Sequence, residues 1–139
     1  MPRVRYDDAM DQTTDRSTKN IIIIEDNEDL AEIYCTRLQA IGYQCKTASD
    51  GIAGLYLIQT ELPDLVLLDM MVPAIAGDEV LKRMRQSDWG KEIPVHIISN
   101  LNESDAPAGL RELGITGYSV KANLHDNDLD DIVDSIVLK

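Results

Sequence analysis

Five short apolar runs divide the chain, and after four of them the apolar residues switch to helical spacing. Asn20–Asp26 carries Ile21-Ile22-Ile23-Ile24, four β-branched residues in a row, which favours a strand. Asn27 or Asp29 can then cap a helix, with Leu30, Ile33, Tyr34, Leu38 and Ile41 on its apolar face and Gly42 closing it. Tyr43–Ala48 is a shorter, more polar strand, as an edge position allows. Asp50-Gly51 turns into a second helix whose apolar face is Ile52, Leu55, Leu57 and Ile58.

Leu65-Val66-Leu67-Leu68 lies between Pro63 and Pro73 and reads as a strand buried on both faces, as in a parallel sheet. Gly77-Asp78 opens a third helix with Val80, Leu81 and Met84 inward, and Trp89 in the next loop is read as a packing lid on the rim. Pro94–Ser99 is the fourth strand. Asn102–Leu113 is predicted as a weak fourth helix, because it contains Pro107 and Gly109. Ile115–Val120 is the fifth strand. Asp126–Leu138 is the final helix, with Leu129, Ile132, Val133, Ile136 and Val137 inward. Its run of aspartates suits the positive end of a helix dipole and is read as a solvated face.

Five βα units with short connections predict an α/β fold: a doubly wound, five-stranded parallel sheet with helices on both faces. Right-handed crossovers leave few topologies. The flavodoxin-like order 2-1-3-4-5 fits best, because strands one and three are the most apolar and strand two the least.

Charge and composition narrow the function. Of 139 residues, 44% are hydrophobic, enough for the core of one domain. No apolar run approaches the ~20 residues of a membrane span, and the N-terminus has no apolar signal region. The formal charge of −12 argues against direct contact with nucleic acid and allows a cation or a basic protein surface. Cys35 and Cys45 are too few for a disulfide framework or a zinc site, and read as two reduced, buried thiols of a cytoplasmic protein. Residues 1–19 are polar, without hydrophobic periodicity, and read as a flexible tail before a domain over 20–139. Their charges cancel, so the acidity belongs to the domain.

The strand ends carry the chemistry. In the predicted order, strands one and three flank the topological switch point, where open α/β sheets bind ligands. Their carboxyl ends bring Glu25, Asp26 and Asp69 together. Three clustered carboxylates repel unless a cation intervenes, and Mg²⁺ suits such a set because it leaves positions for phosphate oxygens. Ser99 and Lys121 end strands four and five on the same edge and can both hold a phosphoryl group. These parts suit attack by a carboxylate on phosphorus, giving an aspartyl phosphate. Asp69 would be the nucleophile and Asp26 the direct metal ligand. Glu25 would act through water or adjust the metal. Lys121 would pair with phosphoryl oxygens and Ser99 would hydrogen-bond one. Taken singly, each residue is equally an ordinary turn, cap or surface residue. The set of matching strand ends on one edge is what points to a site.

With IIIIEDN at the first strand, VLLDMMVPAIAG at the third, IIS at the fourth and YSVKA at the fifth, the sequence resembles the receiver domain of bacterial two-component response regulators. The resemblance implies that Asp69 accepts a phosphoryl group from a sensor histidine kinase or phosphotransfer protein. It implies a Mg²⁺ site of Glu25, Asp26, Asp69 and the backbone carbonyl of Met71. It also implies a switch in which Ser99 and Tyr118 remodel the face of the fourth helix, fifth strand and fifth helix. That face would serve a downstream protein or a homodimer. Such a protein is a signalling phosphoacceptor that catalyses only its own phosphorylation and dephosphorylation.

The sequence departs from the family pattern in places. Ala122 follows Lys121 where the family usually has a proline on a cis bond. A cis bond before alanine costs ~2.5–4 kcal/mol, so a trans bond and a differently aimed Lys121 are expected. Asn100 follows Ser99 where a small residue is usual, narrowing access. Met71 and Leu101 are apolar and cannot orient an attacking water, which implies slow self-dephosphorylation. The expectation is a single-domain response regulator, or a receiver cut from a larger protein, with output through a partner, a dimer or onward phosphotransfer. Two other readings stay open: a pseudo-receiver that binds partners without being phosphorylated, and a Mg²⁺-dependent phosphatase. The phosphatase pattern usually has a second aspartate where Met71 stands.

Overall fold

The computed structural model describes residues 15–125 and 127–138. Five strands, β1 (Asn20–Ile24), β2 (Gln44–Ala48), β3 (Leu65–Leu68), β4 (Val95–Ser99) and β5 (Gly117–Val120), form one sheet. Its order is β2-β1-β3-β4-β5 and every pairing is parallel. This is the predicted doubly wound arrangement. Helices α1 (Glu28–Ala40), α2 (Gly51–Glu61), α3 (Gly77–Gln86) and α4 (Asp128–Val137) complete it.

Alternation along the strands builds two cores. Ile22, Ile24, Val66, Leu68 and Ile97 meet Ile58 of α2 and Val80, Leu81 and Met84 of α3 on one face. Ile21, Ile23, Leu65 and Leu67 meet Ala31, Cys35 and Leu38 of α1 and Leu129 and Val133 of α4 on the other. β1, β3 and β4 are buried along nearly their whole length because both faces are covered. Cys35 and Cys45 are free thiols buried in the second core. Trp89 packs half-buried against the first, as a lid would.

The capping chemistry is as the sequence indicates. The Asn27 side chain accepts from the Leu30 amide at 3.1 Å, and that of Asp50 from the Ala53 amide at 2.7 Å. Gly42 leaves α1 at φ +115°, a conformation that glycine adopts at little cost.

Some expectations fail. No α-helix forms over Asn102–Leu113; a single 3₁₀ turn, Glu103–Asp105, and irregular turns replace it. Pro107 forces Ala106 into extended backbone (φ −78°, ψ 163°), and Gly109 at φ +90° breaks the chain again three residues later. What holds the segment is a set of point anchors. Leu110 is buried in the first core, and Arg111 pairs with Glu103 at 2.6 Å. The Arg85 guanidinium donates to four carbonyls: Leu113 at 2.6 Å, and Gly90, Ile93 and Gly114 at 2.9 Å.

Ile33 and Ile52, expected inward, are 62% and 50% exposed, because the helices rest on narrower stripes than the spacing suggested. The fifth strand begins at Gly117, not Ile115. The aspartates of α4 are not all solvated. Asp130 takes two bonds from Arg37, at 3.1 and 3.0 Å, and Asp134 takes two from Arg16, at 3.0 and 2.8 Å. Asp126 and residues 1–14 of the expected tail lie outside the described residues. Asp15–Lys19 is described, and there Arg16 also reaches the Ile41 carbonyl and lies 5.8 Å over the Tyr43 ring.

Candidate functional site: the carboxyl edge of β1 and β3

The register sets Ile24 beside Leu68, so the residues that follow them stand level. The Asp69 amide donates to the Ile24 carbonyl at 3.0 Å, and the Glu25 amide donates to the Ala48 carbonyl at 3.0 Å. The backbone ladder therefore runs past the strand ends and fixes both acids. Asp69 is 4% exposed and Glu25 2%. Asp26 turns outward and is exposed. One carboxylate oxygen from each of Glu25, Asp26 and Asp69 lies within 4.8 Å of the others.

Each buried carboxylate has two partners. Asp69 Oδ1 accepts from the Met71 amide at 3.1 Å, and Oδ2 from Lys121 Nζ at 2.8 Å. Glu25 Oε2 accepts from the Asn27 amide at 3.1 Å, and Oε1 pairs with Lys121 Nζ at 2.6 Å. Burial pushes the Glu25 carboxyl above its ordinary range even with the Lys121 ammonium beside it. For Lys121, burial pulls downward, but its bonds to Asp69 and Glu25 outweigh it and hold the ammonium above its usual value. Among the described residues no peptide is cis, so the Lys121–Ala122 bond is trans. Lys121 is nonetheless aimed at Asp69, because the 3₁₀ turn Lys121–Asn123 starts directly at the end of β5.

The other two predicted residues meet at one residue, Leu101. Ser99, fully buried at the end of β4, accepts the Leu101 amide on Oγ at 3.3 Å. Tyr118, half-buried on β5, donates its hydroxyl to the Leu101 carbonyl at 2.9 Å. Ser99 and Tyr118 therefore grip opposite sides of Leu101. Burial is the main reason the Tyr118 phenol lies above its ordinary range.

Sequence reading missed three supports. The Asn27 amide tethers Glu25, Leu101 joins Ser99 to Tyr118, and Gly77 gives the loop after β3 its path. A Cβ at Gly77 would press on the Asp69 carbonyl and the Met70 backbone. Only Gly77 had a visible signal, a glycine shortly after the strand. The same loop holds Ala74 at φ +71° in a three-residue turn closed by the Ile75 amide on the Pro73 carbonyl at 2.9 Å.

The family model described as the response regulator receiver domain matches residues 21–134. The chain belongs to the response regulator receiver family. It is 36% identical over 104 residues to the alkaline phosphatase synthesis transcriptional regulatory protein PhoP of Bacillus subtilis (strain 168), which covers 74% of this chain and 42% of that one. A response regulator structure from Chloroflexus aurantiacus superposes with a TM-score of 0.77 at 28% identity, covering 87% of this receiver and 98% of that chain. The Mn²⁺-bound form of response regulator Rcp1 does so with a TM-score of 0.71 at 26% identity, over 87% and 95%. The receiver spans 40–45% of the length of the curated relatives it matches. Among the described residues no helix is long and apolar enough to cross a membrane.

Proposed function

We propose that this receiver is a phosphoacceptor whose nucleophile is Asp69 and whose phosphodonor is a sensor histidine kinase or phosphotransfer protein. One observation carries the reading: the buried Asp69 carboxylate is oriented by the Met71 amide and neutralised by Lys121. In the transfer, a bond forms between an Asp69 carboxylate oxygen and phosphorus, and the donor's phosphorus–nitrogen bond breaks. The Lys121 ammonium balances the added phosphoryl charge, and Ser99 can offer its hydroxyl once it releases the Leu101 amide.

Glu25, Asp26 and Asp69, with the Met71 carbonyl, would hold Mg²⁺. Three carboxylates this close, one of them free of lysine, are a hard-oxygen donor set that fits such an ion. Rcp1, of the same family, is known in a Mn²⁺-bound form. When bound, the ion would screen the carboxylates from an incoming phosphoryl group.

Because Ser99 holds the Leu101 amide and Tyr118 the Leu101 carbonyl, movement of Ser99 toward a phosphoryl group would loosen Leu101 and with it the Tyr118 hydroxyl. The readout face would then be the segment 101–116, β5 and α4. It would serve a downstream protein or a second copy of the chain.

Intact mass after incubation with Mg²⁺ and acetyl phosphate or phosphoramidate tests the reading. A gain of one phosphoryl group that needs Mg²⁺ and vanishes in Asp69→Ala is expected. No gain with either donor in folded protein overturns it in favour of a binding module. Met71, with its side chain 56% exposed, offers no group to orient water, so the phosphoprotein should persist well beyond seconds.

A further inference from the structure

A groove of about 820 Å³ follows the outer side of β2 between α1 and α2 and reaches Glu25 at one end. β2 is an edge strand, so no neighbouring strand covers this side. Glu28, Asp29 and Glu32 line the α1 wall and are exposed, with Glu28 and Glu32 one helical turn apart. Tyr56 lines the α2 wall and is 70% exposed, an unusual amount for so large a ring. The floor includes Cys35 and Ala48, small enough to admit close approach.

The electrostatics are one-sided. No lysine or arginine lines the groove. Elsewhere on the surface Glu61, Glu79, Glu103 and Asp130 each have a basic partner, whereas Glu28, Asp29 and Glu32 are in no ion pair among the described residues. A chain of net charge −12 repels both nucleic acid and its own copies at such a place.

We infer that this groove docks an arginine-bearing amphipathic helix of a partner protein. A guanidinium forks onto a carboxylate such as Glu28 or Glu32 and stacks its plane on an aromatic face such as that of Tyr56. The apolar side of the partner helix rests on the small residues of the floor. This docking is independent of phosphoryl transfer to Asp69.

The test is fluorescence anisotropy of the full chain with two labelled designed helical peptides. One carries arginines at i, i+4 spacing opposite an alanine/leucine face; the other has glutamate for every arginine. Saturable binding of the arginine peptide alone is expected. Glu28→Lys with Glu32→Lys should weaken it about tenfold, and Tyr56→Ala about threefold. Asp88→Lys with Glu92→Lys, in the loop after α3, makes the same charge change away from the groove and should leave binding within about twofold. Equal weakening by that control pair would overturn the proposal, since attraction would then be to net charge alone. So would absence of saturable binding of the arginine peptide to the unsubstituted chain. Self-association of the chain lost on Tyr56→Ala would overturn it too, assigning the groove to a second copy. Phosphoryl gain at Asp69, measured on the same variants, should not change.

Discussion

The corner around Asp69 and the segment 101–116 both begin where a central strand ends, yet they are held in opposite ways. At the corner the backbone ladder continues beyond the strands, and every oxygen of the two buried carboxylates has a partner. In the segment the backbone forms no helix, and single side chains hold it at separated points: Leu110, Arg85, Tyr118 and the Glu103–Arg111 pair. Where chemistry must be positioned, the fold spends regular structure. Where a conformation must be able to change, it uses a few anchors that can be released one at a time.

That contrast can be broken at its rigid side first. Gly77→Ala would place a Cβ against the Asp69 carbonyl and the Met70 Cα, backbone atoms that cannot swing aside as the end of the Met70 side chain can. The expected cost is about 3 kcal/mol in denaturant unfolding, together with a weakened phosphoryl gain. Little effect on either would mean that the corner is looser than its bonding suggests.

His96 joins the two regions and makes the next test. It is buried on β4, with Nε2 2.8 Å from Ser119 Oγ and Nδ1 3.3 Å from Thr116 Oγ1. The Thr116 hydroxyl donates to the Val95 carbonyl at 3.1 Å, so Nδ1 carries the proton and Nε2 accepts from Ser119. Burial, helped by the Arg111 charge, lowers the imidazole pKa to about 4. The folded state therefore resists a proton that the unfolded chain accepts from about pH 6.5 downward. Stability is full above that pH and falls by up to about 3 kcal/mol as pH drops toward 4. Unfolding of His96→Gln at matched pH values should show a flatter slope; an unchanged slope would remove His96 from this role.

Arg85→Ala sharpens the comparison from the irregular side. Four carbonyls would lose a charged donor and turn to water, at about 2 kcal/mol. Hydrogen exchange should quicken over 110–116 and stay unchanged at β1 and β3. Gly109→Ala carries the smallest effect, about 1 kcal/mol, because alanine is strained at φ +90° while the Cβ meets nothing closer than the Glu112 carboxylate at 3.9 Å. A larger loss would show that the turn is an anchor in its own right.

The rigid half was the legible half. Four consecutive isoleucines, an apolar run ending on Asp69, and a hydroxyl and a lysine at two more strand ends are short-range signals. A parallel sheet then aligns them with no further information. The segment 101–116 departs from the weak helix predicted over Asn102–Leu113 because the two backbone constraints already visible there, Pro107 and Gly109, prevail outright. Arg85 and Arg16 were illegible for another reason. Their partners are backbone groups, or lie 118 residues away as Asp134 does from Arg16, and no local pattern encodes a distant carbonyl.

Arg16 has a practical consequence. Its clamp onto Asp134, Ile41 and Tyr43 sits where α1 and α4 end and β2 begins, the edge of the sheet opposite Asp69. A surface tether or fluorescent label joined ahead of Arg16 starts its path from that far edge and leaves the corner around Asp69 clear. Trimming the chain past Arg16 would remove the crossbar between those elements while sparing every strand.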